Sequence, residues 1–220
     1  MRPRWTPDGV GVTFSVTGDV YQRHADGTGE REPVLVRPGT QFPDAWTPDG
    51  TTLIYNEGRD VRDLWSVRIG AEPIRLHPPS PFVERGGSVS PDGKWLVFTS
   101  NESGRDEIYV QSFPGQGPKV AISSDGGIQP AWSRDGRELF YRQGDVMMVV
   151  PIGSDPRRAG TPQRLFDFPA VTYGVDRNKV EYDVAADGRV LAVRSAARAG
   201  AEEIRVVTNW LADRTRAVSK

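Results

Sequence analysis

Cysteine is absent from this chain of 220 residues. That excludes disulfides and thiolate-held metals. Histidine is scarce. Only His24 and His77 occur, neither with a second imidazole at ligand spacing, so no histidine-held metal is expected. Each reads as an exposed loop or strand-edge residue. Long apolar runs are also lacking. Nothing approaches the roughly 18 residues a membrane-crossing helix needs, so no membrane insertion by this chain is expected. The opening Met1-Arg2-Pro3-Arg4-Trp5 carries no apolar leader core. Taken as complete, the chain would be cytoplasmic. Net charge is −1, and arginines are interspersed with acids rather than gathered into a stripe. A nucleic-acid partner is therefore not expected.

Glycine (24) and proline (18) are plentiful, which in a chain of short apolar runs means frequent tight turns. One turn recurs. It stands as Trp5-Thr6-Pro7-Asp8-Gly9, Trp46-Thr47-Pro48-Asp49-Gly50, Val89-Ser90-Pro91-Asp92-Gly93, Trp132-Ser133-Arg134-Asp135-Gly136 and Val184-Ala185-Ala186-Asp187-Gly188. The aspartates lie 41, 43, 43 and 52 residues apart, the extra residues falling around 169–179. Thr or Ser opens the turn and Pro presets φ. Asp bonds to local backbone, and Gly takes the left-handed conformation that closes a hairpin. Asp8, Asp49, Asp92, Asp135 and Asp187 are thus read as structural, since one active site has no use for five copies.

After each turn comes a nearly continuous apolar run too short for a helix, such as Trp95-Leu96-Val97-Phe98-Thr99 or Glu138-Leu139-Phe140-Tyr141. Such runs suit strands covered on both faces. A third run follows, for example Asp63 to Val67, and a fourth, for example Gln163 to Phe166. Four strands per repeat of about 43 residues describe a propeller blade. The expected fold is all-β, a β-propeller of about five four-stranded antiparallel blades forming one domain over 1–220. The repeats fall at about 1–40, 41–83, 84–126, 127–178 and 179–208. Trp46, Tyr55, Trp65, Trp95, Phe98, Trp132 and Phe140 are expected to fill the layers between blades.

Closure is a problem. The fifth repeat ends after three strands, and no spare N-terminal strand completes it. Either five blades close imperfectly or the chain is an arc of a larger propeller, the reading favoured here. An arc leaves an apolar blade face bare at each end, a route to self-association. The tail 209–220 reads as a short C-terminal helix, with Asn209 as cap and Trp210, Leu211 and Val218 as one stripe. It would cover the last blade or dock on a partner.

Long strings here carry a family resemblance. Phe98-Thr99-Ser100-Asn101-Glu102-Ser103-Gly104-Arg105-Asp106-Glu107-Ile108-Tyr109-Val110-Gln111-Ser112-Phe113-Pro114-Gly115 is one. Ser123 to Arg142, and the ending Val207-Thr208-Asn209-Trp210-Leu211, are others. With them nearly the whole chain resembles the TolB-like, WD40-like propellers. It resembles more closely the C-terminal propeller region of a group of bacterial serine/threonine protein kinases. The resemblance implies a sensory or interaction module linked to a kinase, often across a membrane, which would place it outside the cytoplasm. The kinase signatures themselves do not occur in these residues. The first blade departs from the family pattern, with Thr17-Gly18-Asp19 where a longer loop is usual.

No catalytic constellation is legible. Gly86-Gly87-Ser88-Val89-Ser90 fails the Gly-x-Ser-x-Gly pattern at its last position. Asp and Gly are adjacent in each turn, so a sialidase box is not met. No calcium-loop spacing is present. No cofactor is expected. Any site should lie on the loops joining second to third strands and successive blades, which share one rim. Those loops hold Gln41, Asp44, Glu57, Arg59, Asp60, Glu84, Arg85, Asn101, Glu102, Arg105, Asp106 and Gln129. Their mix of arginines and carboxylates suits a protein or peptide partner, or a polar small ligand; the plainer alternative is a solvated rim of mutual ion pairs. The leading expectation is a non-catalytic binding or sensing module. The alternatives are an accessory propeller or remnant of an enzyme whose catalytic domain lies elsewhere, or a free-standing hydrolase or lyase.

Overall fold

A computed structural model describes residues 3–58, 62–115, 117–168, 182–195 and 202–207, with side chains of 193–195 and 202–207 left aside. The expected tail helix, the stretched segment around 169–179, Arg59 and Asp60 lie outside the described residues.

The described chain is a succession of antiparallel sheets in sequence order. The first blade holds β1 (Arg4–Trp5), β2 (Gly11–Val16), β3 (Asp19–His24) and β4 (Glu32–Leu35). The second holds β5 (Gln41–Trp46), β6 (Thr52–Glu57), β7 (Asp63–Arg68) and β8 (Ile74–Arg75). The third holds β9 (Glu84–Val89), β10 (Trp95–Ser100), β11 (Glu107–Ser112) and β12 (Val120–Ala121). The fourth holds β13 (Ile128–Trp132), β14 (Glu138–Gln143), β15 (Val146–Pro151) and β16 (Gln163–Asp167). The fifth has three described strands, β17 (Tyr182–Val184), β18 (Val190–Ser195) and β19 (Glu202–Val207). The first strands β1, β5, β9, β13 and β17 pack against one another in turn, so the blades radiate from a shared axis.

The second strands explain the stacking. Their side chains alternate between faces, and in β6, β10 and β14 both faces are apolar. Leu53 and Tyr55 pack on Val20 and Leu35 of the first blade, while Ile54 between them packs on Leu96 and Phe98 of the third. Val97 faces Trp132, Leu139 and Tyr141 of the fourth blade, and Phe140 faces Tyr182 and Val190 of the fifth. Tyr55, Phe98, Phe140 and Trp132 are buried in these layers, with Trp46, Trp65 and Trp95 packed at their margins. Gly87 lets the neighbouring blade approach. A Cβ there would stand 2.8 Å from Ile54 Cγ2 and 3.1 Å from Leu64 Cδ2. Trp5 in the first blade and Leu191 in the fifth remain exposed, consistent with an incomplete ring.

The recurring turns form the opposite rim. Thr6, Thr47, Ser90 and Ser133 each donate their hydroxyl to the turn aspartate, at 2.5, 2.6, 2.5 and 2.7 Å. The same hydroxyl accepts the N–H five residues on, closing the hairpin. Each aspartate also accepts the N–H two residues ahead. The turn glycines have φ between +69 and +80. Successive turns touch: Gly50 lies against Pro7, Gly93 against Pro48 and Gly136 against Pro91.

These bonds hold all five turn carboxyls below the ordinary value of 3.8. The Thr or Ser hydroxyl leads for Asp8, Asp49 and Asp135, and the Arg189 N–H for Asp187. For Asp92 partial burial opposes the shift, but the Ser90 hydroxyl and Lys94 N–H prevail. A carboxyl depressed by folding stabilises the fold above its unfolded value and loses that contribution as pH falls through the folded one. Stability is therefore expected to decline as pH drops below 3.8. In a carboxyl-resolved NMR titration, Asp49 of Thr47→Val should titrate closer to 3.8 than in the wild type. An unchanged Asp49 midpoint would contradict this account of the turn.

Candidate functional site

The loop rim is built where inner and second strands end together. Register places Gln41 opposite Glu57, Glu84 opposite Ser100 and Ile128 opposite Arg142. Each inner strand bulges just below this rim, at Asp44, at Gly86-Gly87 and at Gln129-Pro130. Gly86 takes the left-handed backbone (φ 65) that the bulge needs. Gln129, at the corresponding place, takes it too (φ 58) despite its side chain. The Tyr182 hydroxyl donates to the Gln129 carbonyl at 2.7 Å and ties that bulge to the fifth blade.

The rim residues expected from sequence divide into separate knots. Glu57 lies 3.4 Å from Arg37 Nε of the first blade. Burial pushes its carboxyl up, helped by Asp63 across the hairpin and opposed by Arg37 and Arg75. Gln41 Nε2 donates to the Pro38 carbonyl at 3.1 Å. Asp44 accepts the Gly87 N–H at 3.2 Å, joining two inner strands. Arg85 pairs with Asp106, and Lys119 with both Glu102 and Glu84. Asn101 Oδ1 accepts the Val83 N–H at 2.8 Å. Arg105 donates to Glu107 at 2.7 Å and to the Ser124 carbonyl.

His77 departs from expectation. It is no exposed edge residue. Its ring lies on Phe98 (centroids 4.9 Å apart), with Nδ1 2.5 Å from Glu84 Oε2 and Nε2 2.8 Å from Gln111 Oε1. Leu76 and His77 carry the chain off β8 and across to the third blade, so the crossing itself buries the ring. His24, at the end of β3, is exposed.

A second group escapes sequence reading altogether. Ser15, Asn56, Thr99 and Arg142 each stand seven residues after a turn aspartate, at the rim end of a second strand. All are buried, and three donate across the gap to backbone leading into the next blade. Ser15 Oγ reaches the Gln41 carbonyl (2.5 Å), Asn56 Nδ2 that of Glu84 (3.1 Å) and Arg142 Nη2 that of Phe168 (2.8 Å). Arg142 is 0% exposed and also donates to the Gly144 carbonyl at 2.9 Å. The signal was the fixed offset from the turns, hidden because the four side chains differ in chemistry.

Thr99 breaks the series. Its hydroxyl is buried with no partner. In the same gap Gly127 holds the place of Gln41 and Glu84, five residues before the turn-side Trp or Val. In this gap a cleft of about 710 Å³ lies between the third and fourth blades. Asn101, Arg105 and Asp106 form one wall, Arg142 and Asp145 the other, and Gly126 and Gly127 lie between. Three of the expected site residues therefore share a cavity, and the others among the described residues do not line it. Among the described residues no group of acids and histidines is arranged to hold a metal ion.

No protein-family model matches the chain. It is similar to the Tol-Pal system protein TolB of Anaeromyxobacter dehalogenans, 28% identical over 120 residues. That match takes in 53% of this chain and only 27% of the relative. Its structure is similar to TolB from Acinetobacter baumannii, with TM-score 0.69 and 18% identity over 93% of this chain and 55% of that one. It is also similar to a puromycin-hydrolyzing peptidase of Mycobacterium tuberculosis, with TM-score 0.61 and 14% identity over 93% of this chain and 35% of that one.

Leaving buried acceptors unpaired costs about 1–3 kcal/mol each. Arg142→Leu is thus expected to lower unfolding free energy in urea by at least about 1 kcal/mol. A loss within error would remove the inter-blade bond from the account. Taken together, the sheet order, the stacked inner strands and these likenesses give the chain a TolB-like β-propeller fold.

Proposed function

We propose that this chain is a non-catalytic binding module that holds a protein or peptide partner on its loop rim, in the cleft between the third and fourth blades. The observation that carries the reading is the cleft itself, walled by Asn101, Arg105, Asp106, Arg142 and Asp145, in the described gap that Thr99 does not bridge. The cleft offers Arg105 and Asp145 at its mouth and little side chain between its walls. That combination suits main-chain contact with an extended peptide flanked by polar groups. The relative is named as a Tol-Pal system protein, and this supports a protein partner in general.

The finer version, a sensory part of a kinase-linked protein, rests on sequence resemblance alone. None of the relatives named above is described as a kinase. The peptidase likeness extends to a minor share of that enzyme and supports the fold rather than a reaction.

A peptide-display selection against the immobilised protein tests the reading. The selected peptides should lose at least about tenfold in affinity for Asp145→Arg, measured by calorimetry at a temperature where the variant remains folded. A selection that yields no binders, or binders indifferent to Asp145→Arg, would overturn it.

A further inference from the structure

The turn rim carries its own clefts, and two of them are built from corresponding residues. Between the third and fourth blades Ser90, Pro91, Trp132, Gly136, Ile152 and Gly153 enclose about 160 Å³. Between the first and second, the same places are held by Thr6, Pro7, Trp46, Gly50, Ile69 and Gly70, yet the space is about 680 Å³. Ile69 and Ile152 are equivalent by hydrogen bonding. Each donates its N–H to the carbonyl two residues past its own blade's turn aspartate, Thr51 at 3.0 Å and Arg137 at 2.7 Å. Phe113 of the third blade does the same to Lys94 at 2.7 Å.

Their burial differs sharply. Phe113 is 9% exposed and Ile152 8%, whereas Ile69 is 53% exposed. Two local differences account for it. In the fourth blade the connection from β15 to β16 is long enough to fold back as a 3-10 turn, Pro156–Arg158, whose Pro156 is buried in the cleft. Arg157 then lies over Trp95, 5.2 Å from its centroid. In the second blade the connection from β7 to β8 runs only from Arg68 to Ile74 and supplies no such plug. Gly11 also stands in the first blade where the third has Trp95, three residues after the turn aspartate.

We infer that the cleft between the first and second blades is a docking seat for a proline-bearing segment of a partner protein, with a basic residue beside the proline. The occupied seat shows the chemistry: the chain's own Pro156 enters it, and Arg157 lies beside it over Trp95. Trp46 commits its indole N–H to Thr13 Oγ1 at 2.9 Å and so presents apolar surface, alongside Pro7, Pro33 and Pro48. Aromatic and proline walls are what extended proline segments bind. Charge points the same way. Asp8, Glu32 and Asp49 border the seat, and among the described residues none lining it is basic. This seat lies on the rim opposite the loop-rim cleft, so either proposal can fail alone.

The test is an NMR titration of the ¹⁵N-labelled chain with the peptide Gly-Ser-Asp-Pro-Arg-Arg-Ala, which copies residues 153–159, and with a version carrying Gly for Pro. Saturable shifts at Ile69, Gly70 and the Trp46 indole are expected. The Gly peptide should bind several-fold more weakly, and Ile69→Ser should weaken binding by about tenfold with unchanged melting temperature. Added salt should weaken it further. No saturable shift, shifts confined to the Asn101–Asp106 loop, or equal binding by Ile69→Ser would overturn the proposal. Self-association of the free chain that Ile69→Ser abolishes would assign the seat to a second copy instead, and overturn it equally.

Discussion

The second strands of the second, third and fourth blades carry large apolar side chains on both faces, and neither face can be left to water. A single blade therefore has no stable existence; burial comes only from a neighbour on each side. Leu53 and Tyr55 serve one gap while Ile54 serves the next, and the pattern repeats with Leu96, Val97 and Phe98. The aspartate turns hold every blade to the same length and pitch. Gly87 shows how tight the stacking is, because even a methyl there would collide with Ile54.

The same constraint locates the openings. Apolar layers occupy the middle of each gap, so polar chemistry is confined to the two rims. On the loop rim Ser15, Asn56 and Arg142 bridge the gaps, and the cleft lies at the gap where Thr99 makes no such bond. On the turn rim Phe113 packs in the apolar layer and Ile152 lies beside the Pro156 turn, and a cleft appears where Ile69 is exposed. Both clefts arise as departures from the repeat. A mean blade describes the scaffold, and the deviations mark candidate sites.

Much of this scaffold was legible beforehand. The Asp-Gly turns, their spacing and the apolar runs after them come from local rules of backbone conformation and alternation, which a sequence displays directly. The outermost strands were legible as well, though β8 and β12 are only two residues long. His77 was misread because its burial depends on where the chain crosses between blades. Arg142 was missed because its partners, the carbonyls of Gly144 and Phe168, are backbone groups with no sequence signature. Of the rim residues anticipated, Asn101, Arg105 and Asp106 share a cleft; Gln41, Glu57 and Glu84 serve other gaps. A strand pattern says which rim a residue reaches, but not which neighbour it meets.

Equivalent positions two residues past the turn aspartates offer a direct test of radial stacking. The absence of native cysteine leaves single-site labelling clean. Spin labels at Val10, Thr51, Lys94 and Arg137 can be measured pairwise by double electron–electron resonance. Radial blades predict near-equal spacings between neighbours, and a distance from Val10 to Arg137 well short of the three steps laid end to end. Distances that add in a straight line would mean that the sheets stack as a linear array, and the propeller account with both its rims would be wrong.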